Sequence, residues 1–351
     1  MSIASLILSP WTALAAFVFY YLYPYFFTYS QFRDIPGPLL ARLSNVWLFA
    51  TARRGKRFLL VHEAHQKYGP VVRIQPNHIS INNDEAIQAI YGHGNGFLKA
   101  DFYDAFVSIR RGLFNTRSRA EHSRKRKIVS HTFSAKSIVQ FEPYIHHNLE
   151  LFVQKWDELA ARAATTSPDG AVHVDCLNWF NYIAFDAELD AAVPADVPVP
   201  TFDQVKELPY LQAVINETMR YHSTSGIGLP RLVPLDSAGV EILGRFYPPG
   251  TVLSVPTYSV HHSKEIWGPD ADEFRPERWH NVTERQKNAF IPFSYGPRAC
   301  IGRNVADMEL KLIVAAWVRR YDVVLRQDVM ETREGFLRKP VALEIGFKRR
   351  Q

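Results

Sequence analysis

The sequence predicts a mostly helical α+β chain, with an apolar helix ahead of a globular body. Three observations lead there. Residues 1–32 carry no charged side chain, and Ile3 to Tyr29 is nearly all apolar or aromatic. Several later stretches space their apolar residues at helical intervals, the clearest being 58–68, 119–132, 134–164, 206–222 and 304–320. Between them lie short β-rich runs bounded by Gly, Pro and Asn.

The first stretch reads as a membrane anchor over residues 1–30. About 20 apolar residues span a bilayer as a helix. Tyr20, Tyr21, Tyr23 and Tyr25 crowd its end like an interfacial belt. Arg33, Arg42, Arg53, Arg54, Lys56 and Arg57 follow, which by the positive-inside rule puts the body in the cytosol. The alternative is a signal peptide cut near Ala13-Leu14-Ala15. Against it, no basic residue precedes the apolar run, and the run continues past Ala15.

Beyond the anchor, Ile35-Pro36-Gly37-Pro38 is a stiff, extended hinge. Phe58 to Tyr68 is a helix ended by Gly69-Pro70, and a hairpin over 71–81 turns at Gln75-Pro76-Asn77. Asp84 is placed to cap the helix Glu85 to Tyr91. Arg119 to Thr132 is a basic helix. Ser134 to Ala164 is a long amphipathic region interrupted near Pro143, and Lys206 to His222 is the next helix. Short strands follow around 231–233, 240–242 and 253–255. No internal repeat or low-complexity tract occurs.

Composition narrows the class. The chain has 351 residues, of which 47% are hydrophobic, enough for a large core. Its only cysteines, Cys176 and Cys300, lie far apart, which argues against a disulfide framework. The net charge of +6 comes without an aromatic-basic repeat or helix-turn-helix pattern, so it does not point to nucleic acid. A basic face for an acidic partner or anionic lipid fits better.

The chemistry concentrates at Phe293-Ser294-Tyr295-Gly296-Pro297-Arg298-Ala299-Cys300-Ile301-Gly302. This is a cysteine in a tight Gly/Pro loop just before a helix. A thiolate is favoured there by the helix dipole and free backbone N–H groups, and Arg298 adds positive charge. Gly296 and Gly302 let the backbone turn sharply and approach a flat ligand closely. A buried structural cysteine is the bland alternative. The complete F-x-x-G-x-R-x-C-x-G context, however, resembles the haem-binding signature of the cytochrome P450 family. The resemblance implies the fold of that family, haem as cofactor, and Cys300 as the thiolate ligand to its iron.

Other positions follow the same resemblance. Glu217-Thr218-Met219-Arg220 puts an acid and a base three apart on one helix face, a spacing that alone signals only a surface ion pair. Followed by Phe274-Arg275-Pro276-Glu277-Arg278-Trp279, it resembles the family's structural triad of Glu217, Arg220 and Arg278. Candidates for the haem propionates are His122, Arg126, Arg231 and Arg298. His122 stands where the family's W-x-x-x-R pattern has Trp. Phe293, Gly302 and Ala306 are expected against the cofactor. Arg124, Lys125 and Lys127 read as a solvated face.

The stretches 91–99, 103–115 and 328–336 resemble the fungal benzoate 4-monooxygenases, microsomal enzymes that hydroxylate an aromatic acid opposite its carboxylate. That resemblance puts Phe102, Phe106, Phe114 and Phe336 at the substrate, with Arg110 or Arg111 facing its carboxylate unless that arginine is a surface contact. It implies a small benzoate-like substrate, NADPH–cytochrome P450 reductase as electron donor, and a single-pass endoplasmic reticulum location with the body, residues 31–351, in the cytosol.

One part of the family pattern is missing. Family members carry an A-G-x-[DE]-[TS] stretch on a long distal helix, whose acid and alcohol deliver protons for O–O cleavage. No such stretch occurs in this sequence. Its place in the family order falls between Asn178 and Lys206. There a buried-helix start (Trp179, Phe180, Ile183, Phe185) runs into a proline-rich loop, 193–200. Asp186-Ala187 reads as a seam where roughly 150 residues are absent relative to the family's usual size. The catalytic pair is therefore expected to be absent, leaving either an interrupted monooxygenase or a membrane-anchored remnant that binds haem without turnover.

Overall fold

The apolar N-terminal segment forms a helix over Pro10–Tyr23, followed by a π-helical turn over Pro24–Thr28 and a 3₁₀ turn over Ser30–Phe32. The computed structural model describes residues 10–175, 193, 197–327 and 329–350. Cys176, the helix expected from Asn178 and the seam at Asp186-Ala187 lie outside the described residues. The membrane-spanning helix expected over residues 1–30 begins in residues 1–9, which lie outside the described residues. Among the described residues no helix is long and apolar enough to cross a membrane. Pro24, which has no N–H to donate, opens the π turn that ends the regular helix. Trp11, Phe17, Phe19 and Tyr20 are all exposed.

The chain divides into two compact units: Met1–Ser118 with Ser225–Val260 and Glu334–Phe336, and Arg119–Thr224 with His261–Arg333 and Leu337–Gln351. The first is organised by a five-stranded sheet in the order Val71–Gln75, His78–Ile81, Val252–Ser254, Arg231–Leu232, Leu98–Lys99. The first two strands form the expected hairpin, with Val71 opposite Ile81 and a register shift between Arg73 and Gln75. His78–Ile81 then pairs in parallel with Val252–Ser254. The helix Arg57–Tyr68 buries Phe58, Val61 and Ala64, at i, i+3 and i+6. It ends at Gly69, whose φ of +98° suits a residue without a Cβ. Ala64 packs with Val72 and Ile74 of the sheet.

The hinge is held by Arg73. Its backbone N–H donates to Pro36 O at 2.8 Å, and its buried guanidinium donates to Phe32 O and Pro76 O. The cap of the helix Glu85–Tyr91 differs from expectation. Asp84 is already helical at φ −70° and ψ −34° and makes no side-chain cap. Asn83 supplies it instead, its Oδ1 accepting from Glu85 N at 2.8 Å.

The second unit packs helices Glu142–Thr166, Pro209–Tyr221 and Arg303–Val318 with a three-stranded antiparallel sheet ordered Val172–Asp175, Glu344–Arg349, Tyr321–Leu325. Its core holds Val153, Leu211, Val214, Leu312, Trp317, Ile345 and Phe347. Trp156 stacks on Phe347 with centroids 4.1 Å apart. Pro143 does not interrupt the long helix. It lies in the first turn of Glu142–Thr166, where its missing N–H would have had no helical partner. The segment expected as one helix from Lys206 begins earlier, with the turn Phe202–Val205 under a Thr201/Gln204 capping box, and resumes at Pro209.

This unit is tied together by a buried carboxylate. Glu217 and Arg220 are both fully buried and joined at both nitrogen–oxygen pairs, Nε to Oε2 at 2.9 Å and Nη2 to Oε1 at 2.7 Å. Glu217 also accepts from Arg278 Nε at 2.9 Å, Arg275 N at 2.9 Å and Trp279 Nε1 at 3.0 Å. Arg220 spends its remaining donors on His261 O, Ala271 O and Glu273 O, and Arg278 reaches Trp267 O and Asp270 O. Burial by itself would raise the Glu217 pKa. The Arg220 hydrogen bonds and charge, with Arg275 N–H and Arg278, outweigh it and hold the carboxyl below its ordinary value.

A carboxyl whose pKa is depressed by folding stabilises the fold above the ordinary carboxylate range, and that stability is lost as pH falls through the folded value. Glu217→Ala strands two buried guanidinium groups and should cost about 3–5 kcal/mol in urea unfolding followed by circular dichroism. Glu217→Gln should be less acid-sensitive than the parent, because it lacks this titrating group. An unchanged urea midpoint in Glu217→Ala would show that the network is not structural.

Candidate functional site

The Cys300 loop is built by backbone bonds at both ends. Phe290 stacks on His261, and Ile291 N donates to His261 Nε2 at 3.0 Å. Ser294 N returns to Ile291 O at 2.9 Å, and Cys300 N to Phe293 O at 2.8 Å. Ser294 and Gly296 have φ of +63° and +68°. For glycine this is easy; for Ser294 it is a strained conformation that the loop enforces. A 3₁₀ turn over Gly296–Arg298 lifts the chain into Cys300, and the helix Arg303–Val318 starts directly after, with Gly302 as its N-cap. The Cys300 thiol is exposed. A Cβ on Gly302 would stand 3.9 Å from its Sγ, so glycine keeps the space beside the sulfur clear. Ala306, half-buried, donates its N–H to Gly302 O at 3.0 Å.

His261 is neutral. Burial, with the neighbouring His262 and the Arg220 charge, pushes its pKa down to about 3. Since Nε2 accepts from Ile291 N, Nδ1 carries the proton and donates to Ser223 Oγ at 2.7 Å. His261 thereby links Arg220, which donates to its carbonyl, to the start of the cysteine loop. The sequence reading missed it; its signal is faint, a histidine pair after a short apolar helix.

Within the same unit, the basic helix Arg119–Val129 brings Arg126 to the loop, its Nη1 donating to Ala299 O at 2.8 Å. His122, one turn earlier, is buried, while Phe293 and Arg298 are half-buried. Arg124 and Lys125 pair with Glu121 on the solvated side. Among the described residues no group of three or more His, Cys, Asp or Glu converges as a protein-only metal site does.

Arg231 lies in the first unit. It is buried, donates to Tyr103 Oη at 2.7 Å, and stands over the Tyr91 ring at 4.9 Å. The same unit gathers the four predicted phenylalanines. Phe106 and Phe114 each lie 5.0 Å from Phe336 and 5.3 Å from one another, and Phe102 is 5.3 Å from Phe106. These edge-to-face contacts suit an aromatic pocket wall. Of the two arginines offered for a carboxylate, Arg111 is committed to Asp104 at 2.5 Å and Asn115 O at 3.1 Å. Arg111 and Arg117 hold the Asp104 carboxyl below its ordinary range. Arg110 is exposed. Lys99 escaped the sequence reading. It is buried, donates to Phe114 O, and lies 4.5 and 4.9 Å from the Tyr103 and Phe114 rings.

Comparison with known proteins gives this arrangement its family. A benzoate 4-monooxygenase of Aspergillus niger is 41% identical, across 99% of both chains. That alignment runs over 513 positions against 351 residues here, so at least 162 positions (513 less 351) fall opposite a gap in this chain. A pisatin demethylase of Fusarium vanettenii is 23% identical over 92% of this chain and 90% of its own. A cytochrome P450 monooxygenase of Aspergillus terreus is also 23% identical, over 90% of this chain and 95% of its own. The cytochrome P450 profile matches two stretches, residues 36–191 and 184–347. With the profile covering nearly all of the body, and a cysteine loop and buried Glu-Arg-Arg network in place, the chain belongs to the cytochrome P450 family of monooxygenases.

Proposed function

We propose that this chain is a haem-thiolate monooxygenase of the aromatic-acid-hydroxylating type, interrupted in its middle so that it binds haem but does not turn over. The observation that carries the first half is the loop Phe293–Gly302, which presents one exposed thiol from a backbone-fixed turn. Its donor set fits a haem: a single soft ligand, with cationic and N–H donors in Arg126, Arg298 and His122 for two carboxylates. Arg231 is the further donor proposed for a propionate. Haem, when bound, would supply the activation of O2 with two electrons from NADPH through a reductase, the reaction converting benzoate to 4-hydroxybenzoate and water.

The protein's own residues do the rest. Cys300 would hold the cofactor through sulfur, with Ala306 and Gly302 leaving room beside it. Phe102, Phe106, Phe114 and Phe336 offer ring edges and faces to an aromatic substrate and exclude water from it. The likeness to the Aspergillus niger benzoate 4-monooxygenase supports benzoate or a close relative.

The interruption has its own support. The two profile matches overlap at residues 184–191, around Asp186-Ala187, and no A-G-x-[DE]-[TS] stretch exists in the sequence. Without an acid and alcohol to hand protons to the distal side, and without the helix that excludes water there, reducing equivalents would be lost to O2 as peroxide. As a remnant, the chain keeps the thiolate side and its N-terminal apolar segment. Exposed Trp11, Phe17 and Phe19, followed by Arg33 and Arg42, support attachment to the endoplasmic reticulum membrane with the body in the cytosol.

With reductase and NADPH, the purified 351-residue chain should give no 4-hydroxybenzoate, while a chain with helices from a full-length relative inserted at Asp186-Ala187 should give it. Product from both would show that the interruption is harmless. On intact microsomes, added protease should digest the body; a protected body would reverse the assigned topology.

A further inference from the structure

Arg57 opens the helix Arg57–Tyr68, yet its side chain is only 13% exposed. Its Nε is buried without a hydrogen-bond partner, and Nε is the guanidinium nitrogen nearest Glu334, at 3.8 Å, too far to bond. Among the described residues the fork of Nη1 and Nη2 meets no acceptor either. A buried Nε without a partner is costly, and a fork that is open but unbonded calls for an explanation. Glu334, fully buried and accepting from Phe58 N at 3.0 Å, offsets the charge without satisfying the donors.

The guanidinium borders a cavity of about 80 Å³ whose wall includes His78, Phe102, Gly228 and Ser254. That volume is about half of the roughly 150 Å³ cavity that admits a benzene ring, so it suits a carboxylate group rather than a whole ring. His78 does not compete for an anion's place: burial, aided by the Arg57 charge, takes its pKa down to about 3, and its nitrogens meet Ser254 Oγ and Gln75 Oε1. Asp101, the acid among the lining residues, is exposed. The guanidinium carbon lies 5.7 Å from the centroid of Phe102, the first ring of the phenylalanine cluster.

We infer that Arg57 is the carboxylate anchor for an aromatic acid, its fork gripping the two oxygens in the cavity while the ring lies against Phe102. The inference rests on the aromatic-acid reading above and assigns the anchor to Arg57 rather than Arg110. A planar fork matches a carboxylate in two parallel bonds. Glu334 would then set the strength of binding, since its charge opposes an incoming anion while holding Arg57 in place.

Isothermal titration of the full chain with sodium benzoate and with benzamide, its neutral isostere, tests this. The parent should prefer benzoate by about 10- to 100-fold. Arg57→Gln should bring the two ligands to parity, and Glu334→Gln should tighten benzoate. Because Arg57→Gln leaves Glu334 buried, the double change Arg57→Gln/Glu334→Gln is the neutral control for folding, and it too should show parity. Benzoate preference surviving in the double variant would remove Arg57 from the role and leave the aromatic-acid reading standing. A parent that binds neither ligand, or binds both equally, would overturn that reading and the inference with it.

Discussion

Everything on the cysteine side of this protein depends on one carboxylate. Glu217 accepts five hydrogen bonds, from Arg220 twice, Arg275 N, Arg278 and Trp279. A buried ion pair is not by itself a strong source of stability, because desolvation offsets most of the attraction. What this one provides is definition. Arg220 fixes the carbonyls of His261, Ala271 and Glu273, and His261 fixes Ile291, which starts the loop ending at Cys300. The position of the thiol is thus set by a continuous run of hydrogen bonds from the interior outward.

Much of this was legible in the sequence, for physical reasons. The loop around Cys300 needs glycine at a positive φ and a proline turn, and such requirements leave named residues at fixed spacings. The pairing of Glu217 with Arg220 follows from helix geometry. Arg278 was reached only through the family pattern, because nothing local says that a residue 61 positions on meets the same carboxylate. Lys99, His261 and Arg57 were not legible as site residues, since their burial comes from segments distant in sequence. Local rules also misplaced detail. Asp84 looked like the better cap, but the turn sets Asn83 one position earlier. Pro143 looked like a break, but a proline in the first turn begins a helix.

The two units explain how recognisable parts persist beside an interruption. The Glu217 network and the Cys300 loop are satisfied by residues of one unit, and the phenylalanine cluster by residues of the other. In the proposed account, chemistry fails because proton delivery is lost, while the thiolate and the aromatic wall keep their local support. Binding and turnover thereby become separable properties of the chain.

The central claim is that Cys300, fixed in this way, still serves as a haem ligand. The most direct measurement is titration of hemin into the purified 351-residue chain and into Cys300→Ala, followed by reduction and the carbon monoxide difference spectrum. The account predicts a thiolate-type band in the parent that is lost in Cys300→Ala. A band retained in Cys300→Ala, or a parent that shows none, would contradict it.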